Sequence, residues 1–292
     1  MRDAAAERRV VLTTEQRDTP NITDSASAAS RIKRIDLFRV AVPLKKEIKH
    51  ASHTRTLSEN LVVRVELGGG QVGHGEGVPR SYVTGETIET SFEALGRPDW
   101  ARILGMPAGF AEAMTGIEAL TLDEIENDPR GMAGNAARCA LELALLDAYG
   151  HAFGTTLGQA VELAQVQGLK RFPSPRKVRY GVAITAESFR RELRSAVKYR
   201  IYGFRDVKTK VGVEAQDDAK RLKWIRRIVG PRVELRVDAN EAWQADELAA
   251  RVAPLQPYRI AALEQPVPHG QVDRLAELRP SLGIPVMLDE SL

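Results

Sequence analysis

The sequence predicts an α/β chain in which an α+β domain precedes about five βα units of a (β/α)8-type barrel, incomplete within the 292 residues. Three observations carry this. From residue 178 onward, short apolar runs alternate with helical patterns, and parallel strands require such crossover helices. Lys210, Asp238, Glu264 and Asp289 each fall at or just past the end of a strand, at separations of 28, 26 and 25 residues. The front part instead reads as a glycine-punctuated hairpin followed by helices, which is the α+β pattern.

Residues 21–30 are mostly small and polar, with Ile22 the only large apolar residue there. Val10, Val11 and Leu12 form too short an apolar run for a secretory signal, and Glu7, Glu15 and Asp18 crowd it. Residues 1–30 are expected to be a disordered N-terminal tail. The α+β domain spans residues 31–165. Ile35, Leu37, Val40 and Val42 mark a strand, and residues 45–58 read as a polar loop. Leu61, Val63, Val65 and Leu67 then alternate with period two. Gly68, Gly69 and Gly70 form a turn, and residues 72–78 a return strand. Gly73, Gly75 and Gly77 in that strand point to close backbone packing rather than phosphate binding, because no helix follows at once. Residues 86–160 read as helical. Ala137, Leu141, Ala144, Leu145 and Ala148 recur at helical spacing, with Gly150 as the expected stop.

Residues 165–177, rich in basic and turn residues, mark the passage to the barrel domain at 178–292. Its strands are expected at 178–184, 204–211, 233–237, 260–263 and 284–288. The first helix carries Phe189, Leu193 and Val197 and ends at Gly203. The second carries Leu222, Ile225 and Val229 and ends at Gly230. An open doubly wound sheet would spread the four polar residues along an edge, whereas a barrel gathers strand C-termini on one active face. The run of chemically related residues favours the barrel.

Composition narrows the partners. Basic residues (42) nearly balance acidic ones (39), so neither nucleic acid nor membrane is implied. Cys139 is the only cysteine, which excludes an internal disulfide and a cysteine metal site. A cytoplasmic location is expected.

Asp238, Glu264 and Asp289 would repel one another at one spot unless a cation neutralised them, and oxygen-only ligands suit Mg2+, with Mn2+ as the alternative. Their competing reading is as caps of the following helices. Lys208 and Lys210 share one strand face, which Val207, Thr209 and Val211 leave pointing away from the helices. Two ammonium groups so placed should depress a pKa and supply a base near neutrality; otherwise they are solvated on an edge strand. Asn240 is placed to hold a ligand or support the metal shell. His269 is read as exposed, and His50, His53, His74 and His151 lack metal-site spacing.

Four motifs carry a family resemblance. They are Lys208-Thr209-Lys210-Val211-Gly212, Val237-Asp238-Ala239-Asn240-Glu241-Ala242-Trp243, Leu263-Glu264-Gln265-Pro266-Val267 and Leu288-Asp289-Glu290-Ser291. In order and at these spacings they resemble successive barrel motifs of the enolase superfamily, in its mandelate racemase/muconate lactonizing enzyme family. In the front part, Arg39-Val40-Ala41-Val42-Pro43-Leu44, Tyr82-Val83-Thr84-Gly85-Glu86-Thr87 and Ala140-Leu141-Glu142-Leu143-Ala144-Leu145-Leu146-Asp147 resemble the capping domain of its dipeptide epimerases. The resemblance implies a Mg2+ ion on Asp238, Glu264 and Asp289 that binds a substrate carboxylate and stabilises an enediolate. It implies Lys210 as the acid/base and Lys208 as its electrostatic partner. Asn240, Arg55 and Thr84 would contact substrate, with the loop around 45–55 closing over it. A homo-oligomeric epimerase, racemase or cycloisomerase would follow. The family has eight βα units and a second lysine on the sixth strand, whereas this chain stops just after the fifth. A fragment or truncated gene product is therefore expected, and the alternative is a non-catalytic remnant that binds metal or a partner chain.

Overall fold

A computed structural model describes residues 5–13, 25–49, 54–81, 83–122, 134–163, 179–185 and 188–291. The expected passage at 165–177, and His50 and His53, lie outside the described residues. The chain divides into two compact units, Met1–Lys170 and Arg171–Leu292.

The first unit holds a four-stranded antiparallel sheet in sequence order: β1 (Ala5–Thr13), β2 (Ile32–Lys49), β3 (Thr54–Leu67) and β4 (Val72–Gly77). A short helix α1 (Ser25–Ser30) precedes β2. Alternation works as expected on β3, where Leu61, Val63, Val65 and Leu67 are fully buried; on β2 Ile35 and Leu37 are fully buried, but Asp36 between them is buried too, and Val42 is exposed. Two expectations are corrected. Residues 5–13, expected in a disordered tail, form β1 and pair antiparallel with β2. Main-chain hydrogen bonds make that ladder, so a polar sequence can enter it without an apolar stripe. Most of the loop expected at 45–58 is strand, because β2 and β3 resume pairing at Ile48–Arg55 after an irregularity beyond Pro43.

Helices α2 (Ile88–Gly96), α3 (Trp100–Leu104), α4 (Phe110–Glu118), α5 (Asn135–Phe153) and α6 (Leu157–Leu163) follow. The long α5 lies directly on β4. A Cβ added to Gly73 would sit 2.2 Å from the Ala148 nitrogen, one on Gly75 2.0 Å from the Ala140 oxygen, and one on Gly77 2.1 Å from the Ala136 oxygen. Three glycines on one strand face thus meet an alanine ridge on one helix, which explains both patterns. Buried Glu86 accepts hydrogen bonds from the Ala136 and Ala137 nitrogens at 2.7 and 2.9 Å, satisfying free donors at the N-terminus of α5. The helix runs past Gly150 and ends at Gly154, whose φ of 65° gives the left-handed cap. Gly150 instead admits the returning chain, since a Cβ there would lie 2.7 Å from the Thr155 oxygen.

The second unit is a parallel sheet of β5 (Gly181–Ile184), β6 (Asp206–Lys210), β7 (Glu234–Asp238), β8 (Ile260–Glu264) and β9 (Val286–Met287). Helices α7 (Phe189–Ile201), α8 (Asp218–Val229), α9 (Leu248–Val252) and α10 (Leu275–Leu282) connect them in turn. Spatial order equals sequence order, with no switch point. That is the arc of a barrel, not a doubly wound sheet. On α8 the expected stripe of Leu222, Ile225 and Val229 is buried. On α7 the stripe differs: Val197 is exposed, and Glu192 and Ala196 are the buried positions. Glu192 is drawn in because it pairs with Arg221 of α8 through both carboxylate oxygens. At the far end, Arg226 of α8 donates to the carbonyls of Gly230, Val233, Tyr258 and Arg259 at 2.7–2.9 Å. No helix among the described residues is long and apolar enough to cross a membrane.

Replacing Gly75 by alanine should destabilise the first unit by about 1–3 kcal/mol through overpacking, and by valine further. Gly158→Ala, whose Cβ meets nothing closer than 3.8 Å, should be neutral or slightly stabilising in α6. Urea unfolding of the three variants checks the contrast.

Candidate active site

The strand β6 sorts its side chains by parity. Val207 and Thr209, with Val211 just beyond, are buried, and Lys208 and Lys210 occupy the opposite face as expected. Parallel pairing sets Lys210 beside Asp238 and Asp238 beside Glu264. The second pairing depends on a bulge, because β8 skips Ala261 between the Leu235–Ile260 and Arg236–Ala262 rungs. Without that extra residue Leu263 would stand beside Asp238, and the carboxylate would turn to the other face.

The Lys208 ammonium lies 2.7 Å from Glu264 Oε1 and 3.1 Å from Asp238 Oδ2. The carboxylates are almost wholly buried, whereas the lysine is about a third exposed, 31%. Two buried like charges need a cation, and Lys208 is that cation. Its pKa is therefore raised, so the depressed pKa expected of one lysine in the pair is not that of Lys208. Burial pushes the ammonium down, but the hydrogen bond to Glu264 and the charge of Asp238 outweigh it.

Lys210 Nζ donates to Asn240 Oδ1 at 2.6 Å. Asn240 in turn donates its backbone nitrogen to Asp238 Oδ1 at 3.1 Å and its Nδ2 to Glu290 Oε1 at 3.0 Å. Gln265, fully buried, accepts from the Asp289 nitrogen at 3.0 Å and donates to Ser291 Oγ at 2.6 Å and the Val267 oxygen at 2.9 Å. It thereby fastens the turn after β9 to the end of β8. Asn240, Glu241 and Gln265 have φ of 44°, 65° and 35°. Such left-handed non-glycine backbone persists only where surrounding contacts over-determine it, and it gathers at functional sites.

The expected trio of carboxylates is only partly assembled. Asp238 and Glu264 meet at Lys208, but Asp289 does not join them: among the described residues no three acidic, histidine or cysteine side chains come together closely enough to hold a metal ion. β9 contributes two rungs, ending at Met287. Asp289 lies two residues beyond, where its backbone is held and its side chain is not set by the ladder. Asp238 and Glu264 nonetheless suit a hard cation, since both present oxygen and already share a positive charge. Arg55 and Thr84 belong to the first unit. Thr84 closes its own turn, accepting from the Arg80 nitrogen at 3.2 Å and donating to the Arg80 oxygen at 3.3 Å. His269 is exposed, with Nδ1 3.3 Å from Glu241. Glu290 and Gln265 were not singled out as site residues from the sequence. Their positions after Asp289 and Glu264 were the available signal.

A cavity of about 560 Å³ lies beside these strand ends, lined by Gly212, Gln216, Asp218, Trp243, Arg251 and Leu255 among others. None of the lysines or carboxylates above lines it. Its inner wall is the loop after β6, anchored where Asp218 accepts from the Gly212 nitrogen at 2.7 Å and from Arg221 at 2.6 Å.

A family profile described as "Enolase C-terminal domain-like" matches residues 189–292. The L-Ala-D/L-Glu epimerase of Bacillus subtilis is 30% identical over 266 residues, 90% of this chain and 67% of that protein. A chloromuconate cycloisomerase of Pseudomonas putida is 26% identical, over 90% of this chain and 67% of that one. The solved dipeptide epimerase of Methylococcus capsulatus, complexed with Mg and the dipeptide L-Arg-D-Lys, superposes with a TM-score of 0.67 at 27% identity, covering 90% of this chain and 69% of its own. The chain thus spans about two thirds of the length of such relatives.

Lys208→Met leaves the two carboxylates facing each other and should cost about 2 kcal/mol, less than a fully buried pair because the ammonium is partly solvated. With its pKa raised, the lysine's contribution is present at neutral pH. It is lost only as pH climbs beyond the ordinary lysine value of 10.5. Chemical denaturation of wild type and variant at pH 7 and 9 should therefore give the same difference.

Proposed function

The chain belongs to the mandelate racemase/muconate lactonizing enzyme family of the enolase superfamily, and from that premise we propose that it carries the base-bearing part of a Mg2+-dependent isomerase acting on a carboxylate. Lys210 beside Asp238, and Asp238 beside Glu264, at three successive strand ends is the observation that supports this reading most. Asp238 and Glu264, joined by a reoriented Asp289, would hold the ion. When bound, Mg2+ would supply positive charge for the substrate carboxylate as its α-proton leaves.

The chain's own groups then divide the work. Lys210 removes or returns the α-proton at Nζ, and Asn240 gives that nitrogen a fixed acceptor. Lys208 supplies a second positive charge next to the carboxylate pair. Relatives named as epimerases of dipeptides and as an N-succinyl-L-Arg/Lys racemase support a dipeptide or amino-acid derivative, whereas the chloromuconate cycloisomerases support only the wider class of carboxylates. Inversion needs a second proton donor opposite Lys210, and none of the described residues is assigned that part. One-sided exchange, rather than racemisation, is the expected signature.

In D2O with Mg2+, one stereoisomer of a dipeptide such as Ala-Glu should gain α-deuterium without inverting, as read by NMR. Lys210→Ala should slow this by about 100-fold or more, and EDTA should abolish it. Absence of exchange with every dipeptide and N-acyl amino acid offered would overturn the reading. The separate position of Asp289 favours a second reading, in which the chain binds the ion without turnover. A Mg2+-dependent rise in melting temperature that Glu264→Gln removes, with no exchange, would select it.

A further inference from the structure

We infer that Glu290 is a positioning residue that acts on Lys210 through Asn240. The inference rests on the proposed role of Lys210 as the base. As an ammonium Lys210 Nζ only donates, so the Asn240 group facing it is then the oxygen, and the contact is 2.6 Å. That choice sends the Asn240 Nδ2 donor the other way, where it needs an acceptor. Glu290 Oε1 provides one at 3.0 Å. A carboxylate, having acceptors only, fixes the amide in that orientation and no other. Without it, the amide is free to rotate and present its NH2 group to the ammonium.

The surroundings restrict this chain of contacts further. Asn240 sits at a left-handed φ of 44°, and its backbone nitrogen is tied to Asp238 Oδ1 at 3.1 Å. The turn that carries Glu290 is fastened on both flanks by one buried residue, Gln265, through the Asp289 nitrogen and Ser291 Oγ. Glu290 therefore reaches Asn240 from an anchored position. Three strand ends, those of β8, β9 and β7, converge to set one lysine on a fourth, β6.

The test reads Lys210 directly. The full 292-residue chain is labelled with trace acetic anhydride at pH 8, and Lys210 acetylation is mapped by mass spectrometry relative to exposed Lys198. Glu290→Ala and Asn240→Ala should each raise the relative labelling of Lys210 by about threefold or more, as its fixed acceptor is lost. The double variant should exceed neither single one, because both break the same chain. Glu290→Gln keeps an acceptor oxygen and should restore labelling to near the wild-type value, a rescue that a general loosening of the turn would not give. If Glu290→Ala does not fold, Glu290→Asp, one methylene shorter, is expected to raise labelling in its place. Labelling of Lys210 that stays within wild-type scatter in both, or effects that add in the double variant, would overturn the proposal. α-Deuterium exchange is run on the same samples. Intact labelling shifts without any exchange in wild type would uphold the positioning and sink the isomerase reading instead.

Discussion

Two carboxylates that nearly vanish from solvent beside one another repel unless a cation stands between them, and the second unit is arranged around that requirement. Strand register brings Asp238 and Glu264 together, and the bulge at Ala261 puts Glu264 on the correct face. Lys208, two residues from the proposed base, answers the charge from the neighbouring strand. The same oxygen pair would serve a divalent ion. One ammonium thus offsets part of the charge of the pair, and a divalent ion entering there would compete with an ammonium already bonded.

The first unit obeys a different constraint, one of distance rather than charge. The backbone of α5 approaches β4 so closely that no side-chain carbon fits between them at three alternate positions. Glycine on the strand and alanine on the helix are two halves of one contact. The buried carboxylate of Glu86 then secures the helix start, using donors that the helix cannot satisfy itself.

Much of this was legible in the sequence, and the parts that were not share a cause. Period-two and helical spacing placed β3, β4, α5, α8 and all five barrel strands, because burial on one face writes itself into residue order. The parity of Lys208 and Lys210 against Val207, Thr209 and Val211 was readable for the same reason. β1 was missed because a ladder made by the main chain leaves little trace in side chains. The buried Glu192 of α7 was not anticipated, because a buried acid is explained only by its partner, Arg221, 29 positions on. The raised pKa of Lys208 required knowing which strand neighbours it reaches, and Asp289 required knowing that β9 pairs over two rungs only. Glu290 and Gln265 matter through contacts with other strands, which spacing along one strand does not encode.

The seam made by Arg226 has a consequence of its own. Its four acceptors are main-chain carbonyls, from Gly230, Val233, Tyr258 and Arg259. A carbonyl is present whatever side chain its residue bears, and it has no proton to gain or lose near neutrality. Burial and the charge of Arg259 lower the pKa of Arg226, yet a guanidinium remains ionised in proteins. The end of the sheet opposite the strand C-termini is therefore closed by a joint that ignores acidity and tolerates side-chain drift at 233, 258 and 259. It concentrates all its vulnerability in one arginine, while the reactive end spreads its vulnerability over every charged group it contains.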